Sequence, residues 1–128
     1  MGAIILSSGA NAAIQCHGPV ASVHTQMVGA VVIVVDDKES LRVWYKYDRE
    51  AFANPSTTPG AAGYKFDPTS SVQGSASSGW HFQTSLGGRI FDWQLTAPAR
   101  GDQAQSIASV RAESTDGARG IAGKLACK

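Results

Sequence analysis

The sequence carries little charge and no excess of either sign. Only 16% of its 128 residues are charged, and 11 basic residues against 10 acidic ones leave a formal net charge of +1. Soluble domains usually contain about 25% charged residues. Proteins that bulk charge holds to nucleic acid or to an anionic membrane need a clear basic excess. We therefore expect no nucleic-acid partner.

Large apolar side chains and long hydrophobic runs are also scarce. Leu, Ile, Val and Phe number 26 of the 128 residues, whereas Ala, Gly and Ser number 47. The longest apolar run, Val28–Val35, is far shorter than the roughly 20 residues of a membrane-spanning helix, so we expect no membrane span. Disorder would require high net charge as well as low hydrophobicity. The composition therefore predicts one folded domain with a thin core.

Cysteine occurs only twice, at Cys16 and Cys127, near the two ends of the chain. A single pair cannot mis-pair, and we predict that it forms a disulfide joining the first element to the last. Closing a loop of this length stabilises a fold by roughly 4–5 kcal/mol on loop-entropy grounds. Because disulfides persist in oxidising compartments, we expect a secreted or periplasmic protein. The alternative is two unrelated cytosolic thiols.

Residues 1–12 differ in character from the remainder. They contain a short apolar run and end in Ala10-Asn11-Ala12, which fits the pattern that signal peptidase recognises. A basic region and a full-length apolar stretch are missing. The segment is therefore either the remnant of an export signal or an N-terminal arm with a strand over Ala3–Leu6, and residues 13–128 are predicted to form a single β domain.

Strand patterns recur along the chain, and helical periodicity is rare. Val28–Val35 is rich in β-branched residues, as in a strand buried on both faces, and Ser40–Tyr47 alternates apolar and polar side chains. Together they predict a hairpin, and Trp80–Thr84 with Arg89–Thr96 predicts a second one. The pattern indicates an all-β fold, either an antiparallel β-sandwich or a small β-barrel of six to eight short strands.

The remaining segments give weaker signals. Asp48–Asn54 fits one or two helical turns with Asp48 as N-cap. Residues 63–66 fit a short strand, and the serine-rich residues 67–79 fit a loop or a weak edge strand. Residues 103–113 are compatible with strand or helix, and we favour strand. Gly120–Cys127 is the last predicted strand.

No pattern of catalytic or metal-ligating residues stands out. The sequence has no Gly-x-Ser-x-Gly motif and no phosphate-binding glycine loop. Its three histidines lack a metal-ligand spacing, and the acidic group near the first hairpin fits a solvated turn: His17, His24, His81, Asp36, Asp37 and Glu39. We therefore expect no metal, no cofactor and a protein that is not an enzyme.

The aromatic residues are the most informative group. Trp44 lies between Arg42 and Lys46, on the strand face opposite to the apolar one. An exposed tryptophan flanked by bases is a candidate contact for a sugar ring, a partner protein or an anionic group. The alternative is that Trp44 belongs to the core. Four other aromatic residues are predicted core: Trp80, Phe82, Phe91 and Trp93.

These observations favour a small exported, non-enzymatic binding or inhibitory protein. Its partner would be a protein or a small ligand such as a sugar, held by the strand face around Trp44, Tyr45 and Tyr47 or by the loop Ala53–Gly63. One alternative is a structural subunit of a coat, filament or other assembly, in which residues 3–6 add a strand to a neighbour's sheet. Another is a small hydrolase with His24 or His81 as base.

Overall fold

The computed structural model of the chain describes residues 14–36, 40–86, 88–100 and 106–128. The predicted arm Ala3–Leu6 lies outside these residues, as does most of the predicted turn at 36–39. The described residues form one short helix and ten strands: β1 (Ile14–Ser22), β2 (Val28–Val35), β3 (Leu41–Lys46), α1 (Arg49–Ala53), β4 (Lys65–Asp67), β5 (Thr69–Ser75), β6 (Gly79–Leu86), β7 (Arg89–Leu95), β8 (Ala99–Arg100), β9 (Ser106–Ser114) and β10 (Gly120–Cys127).

Nine of these strands form one antiparallel sheet that is nearly closed into a barrel. The order is β4-β3-β2-β1-β10-β9-β7-β6-β5, and β8 pairs with β9 beside this path. The two end strands, β4 and β5, are separated in the chain only by Pro68. At this corner the Thr69 hydroxyl donates to the Leu41 carbonyl of β3 at 2.6 Å. The corner thus brings the two ends of the sheet together, which leaves little unpaired edge.

The all-β antiparallel prediction is confirmed, but the predicted count of six to eight strands is too low. The extra strands come from segments with weak apolar patterns. The serine-rich residues supply most of β5, whose side chains are mostly exposed or half-buried. Residues 99–100, just after the second hairpin, supply β8, and β1 lies in a segment for which no strand was predicted. Backbone hydrogen bonds hold a strand in a sheet whatever its side chains are. Such segments can therefore pair without the alternation of apolar and polar residues by which a strand is recognised in a sequence.

Both predicted hairpins are present. In β3, Leu41, Val43 and Tyr45 are buried and pair with alternate residues of β2. All of β2 after its first residue is buried, because α1 packs on its outer face.

The predicted N-cap of α1 is confirmed, since the Asp48 side chain accepts a hydrogen bond from the Ala51 N–H at 2.7 Å.

The core lies inside the barrel and includes three of the four predicted aromatic residues. Phe82 and Trp93 stack with ring centroids 5.5 Å apart, and Trp93 is only 2% exposed. The Trp93 indole N–H donates to the buried Thr84 hydroxyl at 2.9 Å. The only hydrogen-bond donor of the Trp93 side chain is thereby satisfied. Trp80 is also buried, whereas Phe91 is partly buried against the cluster.

The predicted disulfide between Cys16 and Cys127 is present. The two cysteines are register partners on the neighbouring strands β1 and β10, which are the first and last strands described. The bond therefore crosslinks the first and last described strands side by side. Both cysteines are buried in the core at one end of the barrel.

Candidate ligand-binding site

The barrel is open at the end opposite the disulfide. A cavity of about 510 Å³ lies there, bounded by the last residue of β1, Ser22, and the first residue of β10, Gly120. Its volume is in the range of 300–1,000 Å³ that is typical of small-molecule pockets. The wall is mainly apolar, with Phe91, Trp93 and Ile121 among its members. Strand ends that are distant in sequence thus build one concave site.

A buried carboxyl group faces this cavity. Asp67, the last residue of β4, is opposite Val43 of β3 and shares its inward face, so only 5% of it is exposed. Among the described residues, none forms a hydrogen bond or an ion pair with this carboxyl group. Burial raises the pKa of Asp67, because a charged carboxylate loses solvation there.

Tyr47 also lines the cavity, and Tyr45 lies behind it in the core. The rings of Tyr45, in β3, and Tyr47, just after β3, have centroids 4.8 Å apart. Burial raises the pKa of Tyr47 strongly, and the neighbouring Tyr45 and Asp67 raise it further. Burial and the Asp67 charge also raise the pKa of Tyr45. Both phenols therefore keep their protons at neutral pH and act as hydrogen-bonding O–H groups.

The rim of the cavity carries charges of both signs. Arg89 Nε lies 3.7 Å from Asp116 Oδ2, and His24 Nε2 lies 3.9 Å from Glu113 Oε2. Arg119 is exposed at the same rim. Arg89 and His24 are thus each close to a carboxylate, whereas no ion pair of Arg119 is found within the described residues.

The turn that carries Arg119 is fixed by Asp116. The Ser114 hydroxyl donates to Asp116 Oδ1 at 2.6 Å, and the Ala118 N–H donates to the same oxygen at 2.9 Å. These hydrogen bonds, the serine hydroxyl first, lower the pKa of Asp116. The rim is thus held by side-chain contacts as well as by the strands.

The sequence-predicted contact residues lie elsewhere, on the outer face of β3. Trp44 is half-buried there, with the Arg42 guanidinium 5.6 Å from its ring and the Phe66 ring 5.4 Å away. Phe66 is 49% exposed and enlarges this aromatic surface. Lys46 Nζ lies 3.3 Å from Glu50 Oε1. None of the three predicted residues lines the cavity, and their role in partner binding stays a prediction.

Sequence reasoning placed Tyr47 on an apolar face but gave no sign of the cavity. Asp67 was not singled out at all, because a single acidic residue before Pro68 is typical of a turn. Its inward direction follows from the pairing of β4 with β3, which no local pattern revealed. The site depends on contacts between distant segments.

The histidines do not assemble a metal centre in the described part of the chain. No three His, Cys, Asp or Glu residues of that part lie close enough together to hold a metal ion. His24 lines the cavity, whereas His81 is exposed on β6. His17 lies outside the site, and burial followed by the charge of Lys128 lowers its pKa.

Comparison of the chain with protein-family models, with curated proteins and with solved structures finds no match. No helix within the described ranges has the length and hydropathy needed to cross a membrane.

Proposed function

We propose that this protein is a non-enzymatic binding protein that holds a small, mainly apolar molecule in the open end of its barrel. The main support for this proposal is the cavity of about 510 Å³, whose walls are aromatic and aliphatic. Protein interiors are normally packed with few voids larger than a water molecule. An open apolar cavity beside an otherwise filled core therefore favours a bound molecule as its purpose.

The side chains around the cavity favour binding over catalysis. A hydrolytic nucleophile needs a base within hydrogen-bond reach. The Ser22 hydroxyl oxygen instead accepts from the backbone N–H groups of His24 and Thr25, at 3.1 and 3.0 Å. The His24 ring faces Glu113. In the described ranges no serine hydroxyl is hydrogen-bonded to a histidine ring, so the hydrolase alternative lacks its central contact.

We further propose that the protein works outside the reducing cytosol, in a secreted or periplasmic setting. The Cys16–Cys127 disulfide supports this, because such bonds persist mainly in oxidising compartments. The structural-subunit alternative depended on residues 3–6, which lie outside the described residues.

A fluorescent apolar probe tests the binding proposal directly. We expect N-phenylnaphthylamine, a neutral dye that brightens in apolar surroundings, to bind saturably with one molecule per chain. Ile121→Trp extends a ring into the cavity and should weaken binding at least about tenfold. The matched control is Ile90→Trp, at a position 46% exposed on the barrel exterior, which should bind as the parent does.

Both variants are checked for folding by their circular dichroism and melting temperature. Absence of saturable dye binding would overturn the proposal, and so would equal affinities in two folded variants.

A further inference from the structure

The charges of the cavity are unevenly matched. At the rim, Arg89 is close to Asp116, and His24 is close to Glu113. Deeper in the site, Asp67 has no cationic partner among the described residues, and burial alone accounts for its raised pKa. Arg89 pairs with Asp116 instead, and no ion pair joins Asp67 to Arg119 within the described residues. The inner part of the cavity thus holds one acidic group that no described residue pairs with.

A buried carboxylate without a partner is costly, and native proteins normally pair such groups or keep them protonated. Asp67 borders open volume, so a ligand can reach it. An ammonium group supplies both the opposite charge and three N–H donors. A carboxylate or phosphate ligand would instead meet like charge at this position. The unmatched group thus favours a cation over an anion.

The surroundings of Asp67 suit an ammonium group attached to an apolar body. Tyr47 lines the cavity, and its hydroxyl oxygen offers a further acceptor. The aromatic rings of Phe91 and Trp93 line the same cavity, and aromatic faces attract ammonium groups as well as apolar surface. A metal cation would need several oxygen ligands. Among the described side chains that line the cavity, Asp67 is the only carboxylate, and the other side-chain oxygens belong to neutral hydroxyl groups.

We propose that the cavity binds a hydrophobic amine, with its ammonium group against the Asp67 carboxylate and its apolar part against Phe91 and Trp93. This inference rests on the proposed function, because it names the class of molecule that the barrel holds. Neutral apolar molecules of similar shape bind the same walls but lack the ionic contact.

The proposal implies a pH dependence. The ligand competes with a proton for Asp67, so amine affinity rises with pH through the Asp67 pKa and levels off above it. The other titratable or charged groups around the site are Tyr45 of β3, Tyr47 just after it, Arg89 of β7, and His24, Glu113, Asp116 and Arg119 at the rim. A neutral ligand does not compete in this way, so comparing the two separates Asp67 from these groups.

Isothermal titration calorimetry with three matched probes tests the proposal: phenylbutylamine, phenylbutanol and phenylbutyrate. We expect the unmodified protein to bind the amine at least about tenfold more tightly than the alcohol, and the carboxylate most weakly. Asp67→Asn should bring the amine to the affinity of the alcohol and leave the alcohol unchanged. Asp92→Asn is the matched control, because Asp92 pairs with Gln83 at 2.8 Å and does not line the cavity.

The outcomes separate this inference from the proposed function. If neither the amine nor the alcohol binds, the binding function itself is wrong. If both bind the unmodified protein equally, the cavity binds small molecules but the amine preference is refuted. Loss of both ligands from a folded Asp67→Asn protein would also refute it, since the residue would then act structurally. The ratio of amine to alcohol affinity in the unmodified protein decides the question even if the variant does not fold.

Discussion

The Cys16–Cys127 disulfide should account for a large part of the stability of this protein. The bond joins residues 111 positions apart, so it restricts nearly the whole described chain when the protein unfolds. The loop-closure relation gives roughly 4.8 kcal/mol at 25 °C for a loop of this size. Small domains have total stabilities of about 5–15 kcal/mol. Removing the bond should therefore bring the protein close to its unfolding threshold.

The measurement compares urea unfolding of the oxidised protein with that of the Cys16→Ala, Cys127→Ala double variant. We expect the free energy of unfolding to fall by about 2–5 kcal/mol, because measured losses often stay below the loop estimate. The oxidised protein in reductant should approach the double variant, which controls for the substituted side chains. A difference under about 1 kcal/mol would refute the reasoning, since β1 and β10 would then constrain each other equally well without the bond.

Three further substitutions test separate parts of the structure. Trp93→Ala removes a core ring and its hydrogen bond to Thr84, and should cost about 3–5 kcal/mol in urea unfolding; a loss within about 0.5 kcal/mol would contradict the packing. Asp48→Ala removes the cap of α1 and should cost about 1 kcal/mol, whereas an unchanged midpoint would show that α1 does not need it. Burial raises the folded-state pKa of Asp67 above its unfolded value, so the free energy of unfolding falls as pH rises between the two pKa values. In Asp67→Asn the free energy of unfolding should not show this fall. Identical profiles of unfolding free energy against pH in the variant and the unmodified protein would contradict the burial of the carboxyl group.

Local alternation made the two hairpins predictable. In β3, apolar and polar residues alternate, so the sequence indicates both the strand and its buried face. The helix was predictable for a similar reason, because its cap, Asp48, and its position before Pro55 are local signals.

The central strand β1 was not predicted, because Gly18 and Pro19 resemble a break. Two contacts account for them. A side chain at Gly18 would place a Cβ 2.8 Å from the Lys124 carbonyl, so the close approach to β10 requires glycine. The pairing of β1 with β10 is interrupted between His17 and Ala21. Pro19 lies in this gap, where its missing N–H costs no hydrogen bond to β10. Both residues thus fit a partner strand more than a hundred positions away.

The cavity could not be predicted for the same reason. Its lining comes from the ends of strands that are paired only in the folded sheet, and Asp67 enters it through its register with Val43. A local pattern indicates which face of a strand is buried. It does not indicate whether that buried face borders packed side chains or open volume.

The two ends of the barrel make opposite contributions to stability. At one end the disulfide crosslinks β1 and β10 and stabilises the fold. At the other end, the cavity lacks the van der Waals contacts of a filled core, and the Asp67 carboxyl group lacks a partner among the described residues. Because neither cysteine lines the cavity, the gains from crosslinking and from ligand binding should add. Phenylbutylamine at a hundred times its Kd should stabilise the protein by about 2.7 kcal/mol, with or without the disulfide. If only the oxidised protein were stabilised, the open end would depend on the crosslink for its shape, and the two ends would act as one unit.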